Sequence, residues 1–154
     1  MIRQIDEMNK EIMRRMSDGK RTFSSVASEL GITENTVRNR INKMADEGLF
    51  LLKGYADPDK IDWLEAMYVG LKLEKPALEN LDVKLEELSH LKGVISTALV
   101  SGRYDVLILV TISQQEGNSF ISFLTEELSK VEGIKDIETF VVFKSNNLLV
   151  PYIL

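Results

Sequence analysis

Between Thr33 and Met44 the chain carries Asn35, Thr36, Arg38, Asn39, Arg40, Asn42 and Lys43, interleaved with Val37, Ile41 and Met44. The three apolar residues recur at helical spacing, which predicts a helix with one buried stripe. With Val37 at zero and about 100° per residue, Asn35, Asn39, Asn42 and Lys43 point away from that stripe. Thr36 and Arg38 flank them, and Arg40 completes the basic set. Amide and guanidinium groups can pair bidentately with base edges in a major groove, Asn with adenine and Arg with guanine. The chemistry open to this face is hydrogen-bonded reading of double-stranded DNA. The plainer account is a solvated helix surface.

The elements that must position this face lie just upstream. Ala27 is small enough for a second helix to cross close by, and Gly31 can end the first helix with a positive φ. Ile32 then enters the core, and Thr33 is a good N-cap for the next helix. Thr22 can cap the preceding helix, whose inward residues are Phe23, Val26, Ala27 and Leu30. Ile5, Met8, Ile12 and Met16 mark an outer helix that stops near Ser17-Asp18-Gly19. Together these predict a helix-turn-helix unit. Leu49 to Tyr55 is apolar and β-prone, and is expected to form a short wing or hinge strand before the turn Ala56-Asp57-Pro58-Asp59.

Charge divides the 154 residues in the same place. Residues 1–55 hold ten Lys+Arg against eight Asp+Glu, and the remainder holds nine against sixteen, giving the overall −5. An acidic whole argues against coating nucleic acid by charge alone, while a mildly basic N-terminal part can still dock on phosphates. With no cysteine and one histidine, His90, thiolate metal sites, disulfides and multi-histidine centres are excluded. The residues predict neither a metal nor a cofactor. Nothing resembles a signal peptide, and no apolar run approaches the ~20 residues of a membrane span, so a cytoplasmic protein is expected.

From about residue 64 the period changes to two. Met67, Val69, Leu71 and Leu73 alternate in a first strand. Leu81, Leu85 and Leu88 mark a helix, Val94 to Val100 a second strand, and Asp105 to Ile112 a third. Phe120, Leu124, Leu128 and Val131 mark a long helix, and Ile134 to Phe143 a last strand. An internal repeat fixes the topology: Glu86-Glu87-Leu88-Ser89-His90-Leu91-Lys92-Gly93-Val94 is echoed at Glu126-Glu127-Leu128-Ser129-Lys130-Val131-Glu132-Gly133-Ile134. Strand-helix-strand twice over is a ferredoxin-like βαββαβ sandwich, with both helices on one face of the sheet. The chain is therefore predicted to be α+β, with a winged-type helix-turn-helix domain at 1–55 and a ferredoxin-like domain at 56–154.

The third strand, Val106-Leu107-Ile108-Leu109-Val110, is apolar on both faces, and two helices cover only one. The sheet of a second copy is the simplest cover for the other, which predicts a homodimer. The apolar tail from Leu148 to Leu154 must likewise be buried, against its own sheet or a partner's. Two reading helices held in such a dimer would favour pseudo-palindromic sites.

These residues resemble the Lrp/AsnC, or feast/famine, transcriptional regulators. The resemblance rests on Ala27, Gly31-Ile32-Thr33, Thr36-Val37 and Arg40-Ile41, on Glu47-Gly48, Gly54-Tyr55 and Asp57-Pro58, and on Gly93-Val94 followed by Gly102-x-Tyr104-Asp105. It implies a sequence-specific DNA-binding regulator, not an enzyme, whose second domain dimerises, assembles in some members into tetramers or octamers, and senses an amino acid or related metabolite. It also implies that Gly102, Tyr104 and Asp105 lie at the effector site. Gly102 would allow backbone close to a ligand, and Asp105 could pair with an α-amino group. The same residues also suit a plain hairpin turn in which Asp105 caps the backbone. The sequence departs from the family at Glu34 and Asn35, where prolines are frequent. A second function remains open on the residues alone, an architectural or protein-interaction module without effector response.

Overall fold

A computed structural model describes residues 5–114 and 119–151. It separates into two compact units, Met1–Lys53 and Gly54–Leu154. The first holds three helices, α1 (Glu7–Met16), α2 (Phe23–Leu30) and α3 (Glu34–Asp46). Each begins on a side chain that accepts a free backbone N–H: Asp6 from Asn9, Thr22 from Ser25, and Thr33 from Thr36. Gly31 ends α2 at φ 65° and sends its N–H back to the Ala27 and Ser28 carbonyls. Ile12, Met16, Val26, Ala27, Val37, Ile41 and Met44 form the core of this unit, with Ile32 and Phe23 packed against it.

The expected wing strand is much shorter than the run from Leu49 to Tyr55. The Leu49 and Phe50 N–H groups both turn back to the Met44 carbonyl, at 2.8 and 3.3 Å, so this backbone finishes α3 instead of pairing. Only β1 (Tyr55–Ala56) is a strand, and it pairs with β6 (Val150–Pro151) in the second unit. Val150 is buried there. The rest of the apolar tail, Tyr152 to Leu154, lies outside the described residues.

The second unit continues with β2 (Leu64–Leu73), a short α4 (Lys75–Leu78), α5 (Leu81–Ser89), β3 (Val94–Leu99), β4 (Val106–Ser113), α6 (Phe120–Ser122) and β5 (Ile134–Val141). After α6 the helical path runs through a π turn, Phe123–Glu127, and a 3-10 turn, Leu128–Lys130. The larger sheet is antiparallel in the order β3-β4-β2-β5, the ferredoxin-like arrangement. Met67, Val69, Leu71 and Leu73 of β2 and Val106, Ile108, Val110 and Ile112 of β4 face Leu88 of α5 and Phe123, Leu128 and Val131 of the last helical stretch in one buried core.

Register places Tyr68 opposite both Leu109 and Phe140, and Gly70 opposite both Leu107 and Glu138. These residues occupy the other sheet face, where Tyr68 and Phe140 are exposed and Leu107 and Leu109 half-buried. Both faces of β4 are thus apolar, and the helices cover one. Among the described residues, no helix is long and apolar enough to cross a membrane.

Candidate nucleic-acid interface and effector loop

Val37, Ile41 and Met44 anchor α3, leaving Asn35, Arg38, Asn39, Asn42 and Lys43 exposed and Thr36 and Arg40 half-buried. The side chains of Asn35, Asn39 and Asn42 make no hydrogen bond to any described residue. The remaining candidates divide into two tied flanks. On one, the Thr36 hydroxyl sits 2.9 Å from that of Thr33, within the cap of the helix. Arg40 donates from Nη1 to Asp6 Oδ2 and Asn9 Oδ1, both at 2.8 Å, and so fastens α3 to the start of α1. The Asp6 carboxyl is held below its usual range, first by the Asn9 N–H and then by Arg40. On the other flank, Arg38 Nη2 donates to Glu34 Oε1 at 2.8 Å, and its guanidinium lies 4.9 Å from the centre of the Phe23 ring.

The first two helices are fastened further by charges that the periodicity of α1 does not reveal. Arg15 binds Glu11 and Glu29, and Glu29 also accepts from Arg21. Arg21 first, and Arg15 after it, holds the Glu29 carboxyl low. The cationic side chains of this cluster are therefore committed to α1–α2 packing.

In the second unit, the turn between β3 and β4 brings Gly102, Tyr104 and Asp105 together by different means. Gly102 has φ 128°, a conformation that favours glycine. Asp105 lies where the β2–β5 register shifts, between Lys72 and Leu73. Its Oδ1 accepts from Lys72 Nζ at 2.8 Å, and its Oδ2 from the Leu73 N–H at 2.9 Å. These two partners, Lys72 foremost, hold the Asp105 carboxyl below the ordinary carboxylate value. Both oxygens are thus engaged within the subunit, and the residue fixes the turn to β2.

Tyr104 lies flat over Gly70. A Cβ at that glycine would come within 2.7 to 2.9 Å of the ring, so only glycine leaves room for it. The ring meets Phe140 edge-on at 6.0 Å, and its hydroxyl donates to Glu138. Arg103 stacks over the same ring at 5.6 Å and pairs with Glu138 at 3.0 Å. Glu138 is a member of this cluster that the sequence reading missed. The available signal was an acidic residue, two positions after Asp136, on the face of β5 that bears Phe140.

A helix-turn-helix unit joined to a ferredoxin-like unit defines a two-domain regulator architecture. Residues 66–147 match the model of the Lrp/AsnC ligand binding domain, and the chain belongs to the Lrp/AsnC family of DNA-binding transcriptional regulators. An uncharacterised HTH-type transcriptional regulator of Pyrococcus furiosus is 29% identical over 140 residues, spanning 90% of this chain and 91% of that protein. The leucine response regulatory protein of Mycobacterium tuberculosis shares the fold with a TM-score of 0.72 at 17% identity, over 92% of this chain and 94% of that one. A Neisseria meningitidis transcriptional regulator, solved as a complex with L-Met, aligns with a TM-score of 0.64 at 16% identity, over 92% of this chain and 91% of that one.

Proposed function

We propose that α3 enters the major groove and reads base edges through Asn35, Asn39, Asn42 and Lys43, with Thr36, Arg38 and Arg40 along the groove walls. The observation that carries this reading is the row of three exposed asparagines whose amides have no partner among the described residues. A primary amide offers both a donor and an acceptor, the pair that adenine presents in the major groove. Arg40 serves mainly to hold α3 on α1, since Asp6 and Asn9 already occupy it.

The working form is a homodimer joined through the open face of the sheet, where Leu107, Leu109, Tyr68 and Phe140 would meet their counterparts across a two-fold axis. Two α3 helices then address half-sites in a pseudo-palindrome. The division of labour follows the sequence boundaries, 1–55 for DNA and 56–154 for assembly and sensing, in a cytoplasmic protein. Tetramers or octamers would arise from further contacts between dimers. An amino acid or related metabolite binds around Gly102, Tyr104 and Asp105 and shifts assembly or helix spacing. The L-Met held by the Neisseria relative supports that ligand class. In this reading Asp105 shapes the loop, because its oxygens are spent on Lys72 and Leu73.

Selection of bound duplexes from a random pool, followed by footprinting, tests the DNA assignment. The expected result is a two-fold symmetric motif with half-sites about one helical turn, or a multiple, apart. Light scattering with and without a panel of amino acids tests the rest. A monomer that enriches no sequence would refute the reading.

A further inference from the structure

Glu34 opens the reading helix with a negative charge, and Arg38 follows one turn later. Their contact is specific: Arg38 Nη2 lies 2.8 Å from Glu34 Oε1, and the Phe23 ring backs the guanidinium at 4.9 Å. Both side chains are only half shielded, with exposures of 50% for Arg38 and 47% for Glu34. The pair is therefore open to exchange with an external anion.

Its position says which anion. Arg38 projects roughly 70° round α3 from the middle of the asparagine face. A helix of about 10–12 Å diameter nearly fills a groove about 12 Å wide, so side chains at that angle meet the sugar-phosphate wall and not the base edges. Phe23, the first residue of α2, lies on the same flank.

We infer that Glu34 is an affinity-setting residue for the DNA backbone: its carboxylate occupies Arg38 in place of a DNA phosphate and must be displaced when α3 docks. This inference rests on α3 being the DNA-reading helix. The exchange gives up one carboxylate–guanidinium contact and leaves Glu34 facing a phosphate. Binding driven by phosphates alone is weakened on every duplex, and the asparagine contacts carry a larger share of the total. Phe23 keeps the guanidinium at the groove wall throughout, so the arginine is already placed when the phosphate arrives.

The full chain, Glu34→Gln, Arg38→Ala and the double variant are titrated with a random-sequence duplex by fluorescence anisotropy, between about 50 and 200 mM salt. Thermal unfolding checks that each variant is folded. Glu34→Gln is expected to bind up to about fivefold tighter for each subunit docked, the range of one exposed ion pair. Arg38→Ala should bind more weakly, with a log–log salt slope shallower by about 0.9 for each subunit docked, the loss of one phosphate contact by each. In the Arg38→Ala background, Glu34→Gln should give a clearly smaller gain, because only its repulsion of the phosphate is then left to remove. An equal gain from Glu34→Gln in both backgrounds would make Glu34 a simple repulsive charge and overturn the inference. No gain, or a loss, in the wild-type background would overturn it too. A wild-type chain indifferent to every duplex would overturn the DNA-reading assignment itself, and the role of Glu34 with it.

Discussion

Replacing Asp105 with alanine removes the one carboxylate that ties the β3–β4 turn to β2. Two contacts go: Lys72 Nζ at 2.8 Å and the Leu73 N–H at 2.9 Å. A hydrogen bond to a charged group contributes about 1.5–3 kcal/mol. The ion pair adds less than about 1 kcal/mol, because the Lys72 side chain is 41% exposed. The alanine variant should therefore lose about 2–3 kcal/mol. Asparagine keeps an oxygen for the Leu73 N–H and should lose about 1 kcal/mol.

The single tryptophan, Trp63, lies in the second unit, so its fluorescence follows that unit's unfolding. At about 4–8 °C per kcal/mol for a unit of this size, the alanine midpoint should fall by about 10–20 °C at pH 7. The Asp105 carboxyl is held below its ordinary value of 3.8 in the fold, so its contribution is complete above that value. It fades as pH falls through the lowered one. The gap between wild type and the alanine variant must narrow in acid. A loss below about 0.5 kcal/mol at pH 7, or a gap that widens in acid, would refute the assignment of Asp105 as the tie.

Thr33→Ala removes the cap that receives the Thr36 N–H at 3.1 Å, and should cost about 1 kcal/mol in chemical denaturation. Gly93 has φ 85°, and a Cβ there would lie 2.6 Å from the Thr111 carbonyl oxygen. Gly93→Ala should therefore cost about 2–4 kcal/mol, read from the Trp63 unfolding curve. Arg40→Ala should move the Asp6 pKa upward in an NMR titration without restoring it fully, since the Asn9 N–H is the larger cause of its depression.

Much of this was legible because local chemistry and global fold agree. Thr22, Gly31 and Thr33 act on their own neighbours within one helical turn, and each does in the fold what its residue type favours. The echo of residues 86–94 in 126–134 marks two equivalent helix-to-strand turns, both closed by a glycine at positive φ, Gly93 and Gly133. What sequence could not show depends on residues far apart in the chain. The bond from Arg40 to Asp6 spans 34 residues, as does that from Tyr104 to Glu138. Residue type placed Arg40 in the basic set of the reading helix, because its partners Asp6 and Asn9 lie at the start of another helix. The π turn at Phe123–Glu127 was equally hidden, since Phe120, Leu124 and Leu128 keep ordinary helical spacing.

DNA reading by α3 depends on its asparagines, and substitution at Asn39 addresses them most directly. Asn39→Ala leaves the core of the first unit untouched, because the residue is exposed and makes no hydrogen bond to a described residue. Affinity of wild type and variant is measured on the selected duplex and on a scrambled one at fixed salt. Loss of one bidentate base contact per subunit predicts about 1–3 kcal/mol weaker binding for each half-site on the selected duplex, with little change on the scrambled one. Equal affinities of the two proteins for the selected duplex would contradict the claim that this helix reads DNA through its amides.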